Sequence, residues 1–94
     1  MSDLSIEHVP GEGFFLDAEG KRLAEMTYSP SRPGVIVLDH TWVSGELRGR
    51  GVARRLLDAL VAWARESQTR VVPTCSYAVK VFREDPSIRD VLST

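Results

Sequence analysis

The sequence has a single cysteine, Cys75, so no disulfide can form within the chain, and a reducing compartment suits it. It lacks any stretch near the roughly 20 apolar residues that a membrane-spanning helix needs. No basic start followed by an apolar run is present, so no signal peptide is expected. Charge of one sign is missing too. Twelve basic and 13 acidic side chains leave a formal net charge of −1, which argues against general nucleic-acid binding through a basic surface. Repeats and low-complexity segments are absent. His8, His40 and Cys75 are too scattered along the chain to argue for a zinc site, and no metal is expected. A length of 94 residues leaves room for one core. The expectation is a single small domain over residues 1–94, cytoplasmic and, in the simplest case, monomeric.

What is present concentrates between Val43 and Ala64, which reads VSGELRGRGVARRLLDALVAWA. Gly49 and Gly51 form a short turn with arginines before, between and after them. Val52, Leu56, Leu57, Leu60 and Ala64 then recur at steps of three and four, which places them on one helix face. Strand, glycine turn and helix start together suit an anion: glycine lets the backbone approach, and unpaired N–H groups point towards it. Arg48, Arg50, Arg54 and Arg55 crowd this end of the helix. It is the positive pole of the macrodipole, where a cation is disfavoured by roughly 0.3–1 kcal/mol. That placement fits a polyphosphate ligand; a solvated basic face beside a fortuitous glycine pair is the plainer alternative. Arg54 stands where a dinucleotide fingerprint needs its third glycine, and the Gly-Lys-Ser/Thr of a P-loop is absent.

Taken in order, the chain reads as a strand over Leu4–Val9, a strand over Gly13–Asp17, a turn at Asp17–Gly20 and a return strand over Lys21–Tyr28. Ser29–Gly34 is expected to be a connection that breaks both helix and strand. Val35–Val43 gives the strongest strand signal. Simple alternation puts Ile36, Leu38, His40 and Trp42 on one side and Val35, Val37, Asp39, Thr41 and Val43 on the other. Apolar residues on both sides of its first half predict cover on both faces, and a buried His40. A helix follows to about Ser67, then a strand over Arg70–Thr74 that can lie parallel to Val35–Val43. Ser76–Glu84 reads as a second helix stopped by Pro86, and Ile88–Leu92 as a tail that packs back. The fold class is therefore α/β in the α+β sense, with a mixed, mostly antiparallel sheet and two main helices.

The string Arg48-x-x-Gly51-x-Ala53 resembles the pyrophosphate-binding motif of the GCN5-related N-acetyltransferases. Two further features resemble the very small GCN5-like members of about one hundred residues: His40-Thr41 with Val43 before the loop, and Pro73, Cys75 and Tyr77 after the last strand. The resemblance runs from about Gly13 to Pro86 and implies a trimmed acetyltransferase fold, since Pro10–Gly13 leaves no room for the helices that larger relatives place there. It implies that acetyl-CoA is the co-substrate and that an amine is the acceptor, whether small molecule, polyamine or protein lysine. Backbone N–H groups of Gly49, Arg50, Gly51, Val52 and Ala53 would hold the pyrophosphate. Arg48, Arg50, Arg54 or Arg55 would pair with phosphate oxygens, the 3′-phosphate included. The pantetheine arm would bond to backbone near Thr41, Trp42 and Val43, with the thioester near His40 and Cys75. Larger relatives carry a tyrosine that protonates the departing thiolate; Phe82 falls near that position, which leaves the role empty or to Tyr77 or Cys75.

His40 can accept an amine proton or serve as a hydrogen-bonded core residue. Cys75 can be a small buried hydrophobe, or a thiol favoured as thiolate by the start of a helix. Two rivals to acetyl transfer remain open at this stage. One is a CoA-binding module with little catalysis that docks to or regulates a partner; the other is a nucleotide-phosphate site at the arginine turn.

Overall fold

In the computed structural model, which describes residues 5–93, five strands form one sheet. They are β1 (Ile6–Val9), β2 (Gly13–Ala18), β3 (Lys21–Arg32), β4 (Val35–Val43) and β5 (Arg70–Pro73), and they lie in that order. The first four pair antiparallel, and β5 runs parallel to β4, so the sheet is mixed and mostly antiparallel as expected. Helix α1 (Val52–Ser67) makes the crossover between the two parallel strands, and α2 (Ser76–Glu84) follows β5. A 3₁₀ segment, Pro86–Val91, then returns to the sheet, where Leu92 bridges Val71. Leu4, the first residue of the expected opening strand, lies outside the described residues.

Helix α1 exists because its apolar stripe has a surface to cover. Val52, Leu56, Leu57, Leu60 and Ala64 are all buried, and Val61 joins them. Burying a leucine of this kind stabilises by roughly 1.5–3 kcal/mol. They share one cluster with Ala78, Val81 and Phe82 of α2 and with Leu16, Ala24, Met26, Ile36 and Leu38 of the sheet. Both helices therefore cover the same sheet face. Phe15 is buried yet stands apart from that cluster, under the Arg22 guanidinium 4.0 Å from its ring. It belongs to the other face, which no helix covers among the described residues.

Two expectations change. Strand β3 runs on through Ser29 and Pro30 to Arg32, where a break was expected. The β2 ladder ends at Thr27 and the Tyr28 N–H still donates to Glu12 O at 3.0 Å; beyond that, among the described residues, β4 is the strand beside β3. An edge position tolerates proline, whose missing N–H would have no partner there. The hairpin turn at Glu19-Gly20 holds both residues at positive φ, 52° and 76°, as a two-residue turn of the primed type requires.

The second change decides the site. Thr27 pairs with His40 but Tyr28 pairs with Leu38, so β4 carries an extra residue at Asp39. Asp39 and His40 both point away from the helices, and the alternation is reversed beyond them. Thr41 and Val43, opposite buried Met26 and Ala24, join the face of Leu38. His40 and Trp42 turn to the uncovered face, and the expected cover on both sides of β4 fails there. Trp42 is 38% exposed and the His40 side chain 52% exposed, so His40 is no core histidine.

Candidate functional site

The parallel ladder between β4 and β5 ends at Leu38 and Pro73. The N–H groups of Thr74 and Cys75 still reach the Leu38 carbonyl, at 2.9 and 3.3 Å, and then the chain turns into α2. Strand β4 continues to Val43 with its far edge open. Which backbone groups face that opening follows from the period of two. Ser44 N–H donates to Leu23 O at 2.8 Å, towards β3, so Val43 and Thr41 point the other way. Arg48 confirms the direction, since its Nε donates to the Val43 carbonyl at 3.2 Å. Trp42 pairs with Glu25 inside the ladder, so its backbone is not on the open edge as expected of a CoA contact.

The glycine turn closes one end of this opening. Gly49 and Gly51 both sit in the left-handed region, at φ +81° and +72°, which other residues reach only with strain. Gly51 is the N-cap of α1 and no side chain caps the helix. The first helical bond runs from Arg55 N–H to Gly51 O at 3.1 Å, so the N–H groups of Val52, Ala53 and Arg54 precede the ladder. No acidic residue stands in this first turn. A cleft of about 230 Å³ lies here, lined among others by Val43, Arg48, Gly51, Ala53, Arg54 and Tyr77. Burial pushes the Tyr77 hydroxyl up from its ordinary value, so it stays protonated and can donate.

The arginines divide. Arg54 is held by Asp58 at 2.8 Å and by Asp85 at 2.5 Å, so its guanidinium ties α1 to the end of α2. Its side chain is thereby committed, although its N–H remains at the helix start. Arg48 and Arg50 are exposed beside the turn. Asp58 and Asp85 had no signal in the sequence. The Ser87 hydroxyl, then the Arg54 guanidinium and the Ser87 N–H, hold the Asp85 carboxyl at about 2. A lowered carboxyl stabilises the fold above its unfolded value and loses that contribution as pH falls through the folded one. Urea midpoints should therefore fall further between about pH 5 and about pH 2 in the unaltered protein than in Asp85→Asn. Equal falls would refute the assignment.

Cys75 is the N-cap of α2, half-buried, with its Sγ 3.4 Å from Thr41 Oγ1. His40 is on the opposite face of β4, with Nε2 3.1 Å from Glu25 Oε2. The structure thus joins Cys75 to Thr41, and places Tyr77 on the cleft wall, but it does not bring His40 to Cys75. Phe82 is 3% exposed and belongs to the core. Among the described residues no helix is long and apolar enough to cross a membrane.

A family model described as GCN5-related N-acetyl-transferase matches residues 13–91. The chain belongs to the GCN5-related N-acetyltransferase family. Within that family it is similar to a GCN5-like protein from Staphylococcus aureus solved by NMR. The two are 38% identical with a TM-score of 0.80, over 99% of this chain and 91% of that one. An acetyltransferase from Elizabethkingia anophelis with acetyl-CoA bound shares the fold, at 9% identity and a TM-score of 0.59, over 76% of this chain and 50% of that one. Protein NATD1 of Bos taurus is 36% identical over 52 residues, 55% of this chain. The matched stretch spans 46% of the length of that relative.

Proposed function

We propose that the chain binds acetyl-CoA in the cleft beside β4 and transfers the acetyl group to an amine. The observation that carries this reading is the open edge of β4 at Thr41 and Val43, directly continuous with the uncapped start of α1 at Gly51. Val52, Ala53 and Arg54 would offer N–H groups to the pyrophosphate, with Arg48 and Arg50 as the side-chain cations nearest the turn. Thr41 and Val43 would bond the pantetheine arm in place of the missing strand. The Val43 N–H would also face the thioester oxygen as it gains charge.

His40 would take a proton from the ammonium form of the acceptor, freeing the lone pair on nitrogen. The new N–C bond forms at the thioester carbonyl and the C–S bond breaks; Cys75 or Tyr77 gives a proton to the departing sulfur and regains one, through solvent, from the second proton that the nitrogen sheds as the amide forms. His40 on one face of β4 and Cys75 and Tyr77 on the other suit a direct transfer, in which amine and thiolate use opposite sides. The acceptor class stays as broad as a small molecule, a polyamine or a protein lysine. A second reading, CoA binding with little catalysis, draws on Phe82, which fills the core where larger relatives carry a proton donor.

Acetyl-CoA and CoA are expected to raise the melting temperature, by preferential binding to the native state. Dephospho-CoA should raise it less, because an arginine would lose the 3′-phosphate. ATP raising it as much as CoA would count against this site. Thiol release from acetyl-CoA across a panel of amines separates catalysis from binding alone.

A further inference from the structure

We propose that Glu25 is the positioning residue of this transfer, holding the His40 imidazole by Nε2 so that Nδ1 faces the incoming amine. The inference rests on the acetyl-transfer reading above and adds to it a residue that the sequence motifs do not contain. Fifteen positions separate the two residues, and three features of the sheet bring them together. Register sets Glu25 opposite Trp42 and Thr27 opposite His40. The extra residue at Asp39 turns His40 out of the core side and onto the face of Glu25. No helix among the described residues covers that face, which leaves the pair open to an acceptor.

Glu25 is held from both ends. Its Oε2 lies 3.1 Å from His40 Nε2, and its Oε1 lies 3.5 Å from Arg22 Nη1. Arg22 is anchored in turn by Asp17 at 2.5 Å and rests over the Phe15 ring. The neighbouring carboxylate does not compete for the imidazole. Asp39 accepts from Thr27 Oγ1 at 2.6 Å and from Ser29 Oγ at 3.0 Å. A carboxylate only accepts hydrogen bonds, and a neutral imidazole has one N–H and one bare nitrogen. Pairing with Glu25 therefore puts the proton on Nε2 and leaves the Nδ1 lone pair as the base. This is how a base is oriented by a third group when it must present one nitrogen and not the other.

Two readouts test it. Ring nitrogen NMR of the unaltered protein is expected to show the Nε2–H tautomer of His40 at neutral to mildly alkaline pH, and Glu25→Ala to shift the ring towards a mixture of tautomers. In turnover, Glu25→Ala is expected to lower kcat by about tenfold to a hundredfold, the scale of losing an orienting partner of a histidine, with the KM for acetyl-CoA unchanged. The same substitution made in His40→Ala should cost nothing further, because the two act as a unit. An Nδ1–H tautomer in the unaltered protein, a ring unmoved by Glu25→Ala, or losses that add in the double variant would each overturn the proposal. If CoA raises the melting temperature but no amine is ever acetylated, the acetyl-transfer reading fails, and the use of His40 fails with it. An unmoved ring beside normal turnover refutes the positioning alone.

Discussion

Gly51→Glu is expected to abolish CoA binding while the chain stays folded. The expected loss comes from two effects acting on the same few ångströms. A carboxylate would stand where the pyrophosphate must approach, at the end of α1 that has no acidic residue in its first turn. The left-handed backbone at φ +72° would also have to be held by a residue with a Cβ, which costs roughly 1–2 kcal/mol. Space is not the obstacle, since a Cβ at Gly51 would meet nothing within 4 Å. The modest strain is what keeps the variant interpretable: circular dichroism should match the unaltered protein, and only the CoA-induced rise in melting temperature should vanish. A folded Gly51→Glu that binds CoA normally would remove the phosphate cradle from this turn.

The second large effect concerns the route of the acetyl group. Direct attack in a ternary complex competes with transfer first to Cys75 and then to the amine. A thiol nucleophile needs a base within reach, and the group beside Cys75 Sγ is the Thr41 hydroxyl at 3.4 Å. His40 is on the other face of β4, engaged with Glu25. The geometry favours the direct route. Cys75→Ala should then lower turnover by an intermediate factor within the roughly 10²–10⁴-fold that one acid–base group contributes. His40→Ala should also lower it, and that loss should shrink at high pH, where the amine is already neutral. Intact-protein mass spectrometry with acetyl-CoA alone should show no acetyl adduct. A stoichiometric adduct on Cys75 that decays at the turnover rate when amine is added, with ping-pong kinetics, would establish the covalent route instead.

How far the sequence reached can be followed along β4 and α1. The helix, its buried face and its glycine start were legible, because a stripe at steps of three and four and a Gly-x-Gly turn are local signals. The parallel return of β5 and the packing of the tail followed from hydrophobic runs and the short distances between them. The reach ended where one residue of register matters. Alternation alone set His40 beside Leu38, and a single extra residue at Asp39 reversed every side chain after it. The pairing of Arg54 was hidden for a related reason: four arginines at a helix start look alike in sequence, and the fold brings Asp85 to the Arg54 guanidinium.

The sequence by itself determined the glycine turn, the elements on either side of it and the family, since each is written in neighbouring residues. Only the tertiary structure decided which face of the sheet each chemical group occupies. Strand pairing across 15 to 34 positions joins Glu25 to His40 and Thr41 to Cys75. Such contacts depend on register and bulge, which are set by how all five strands fit together and leave no mark in any single stretch of chain.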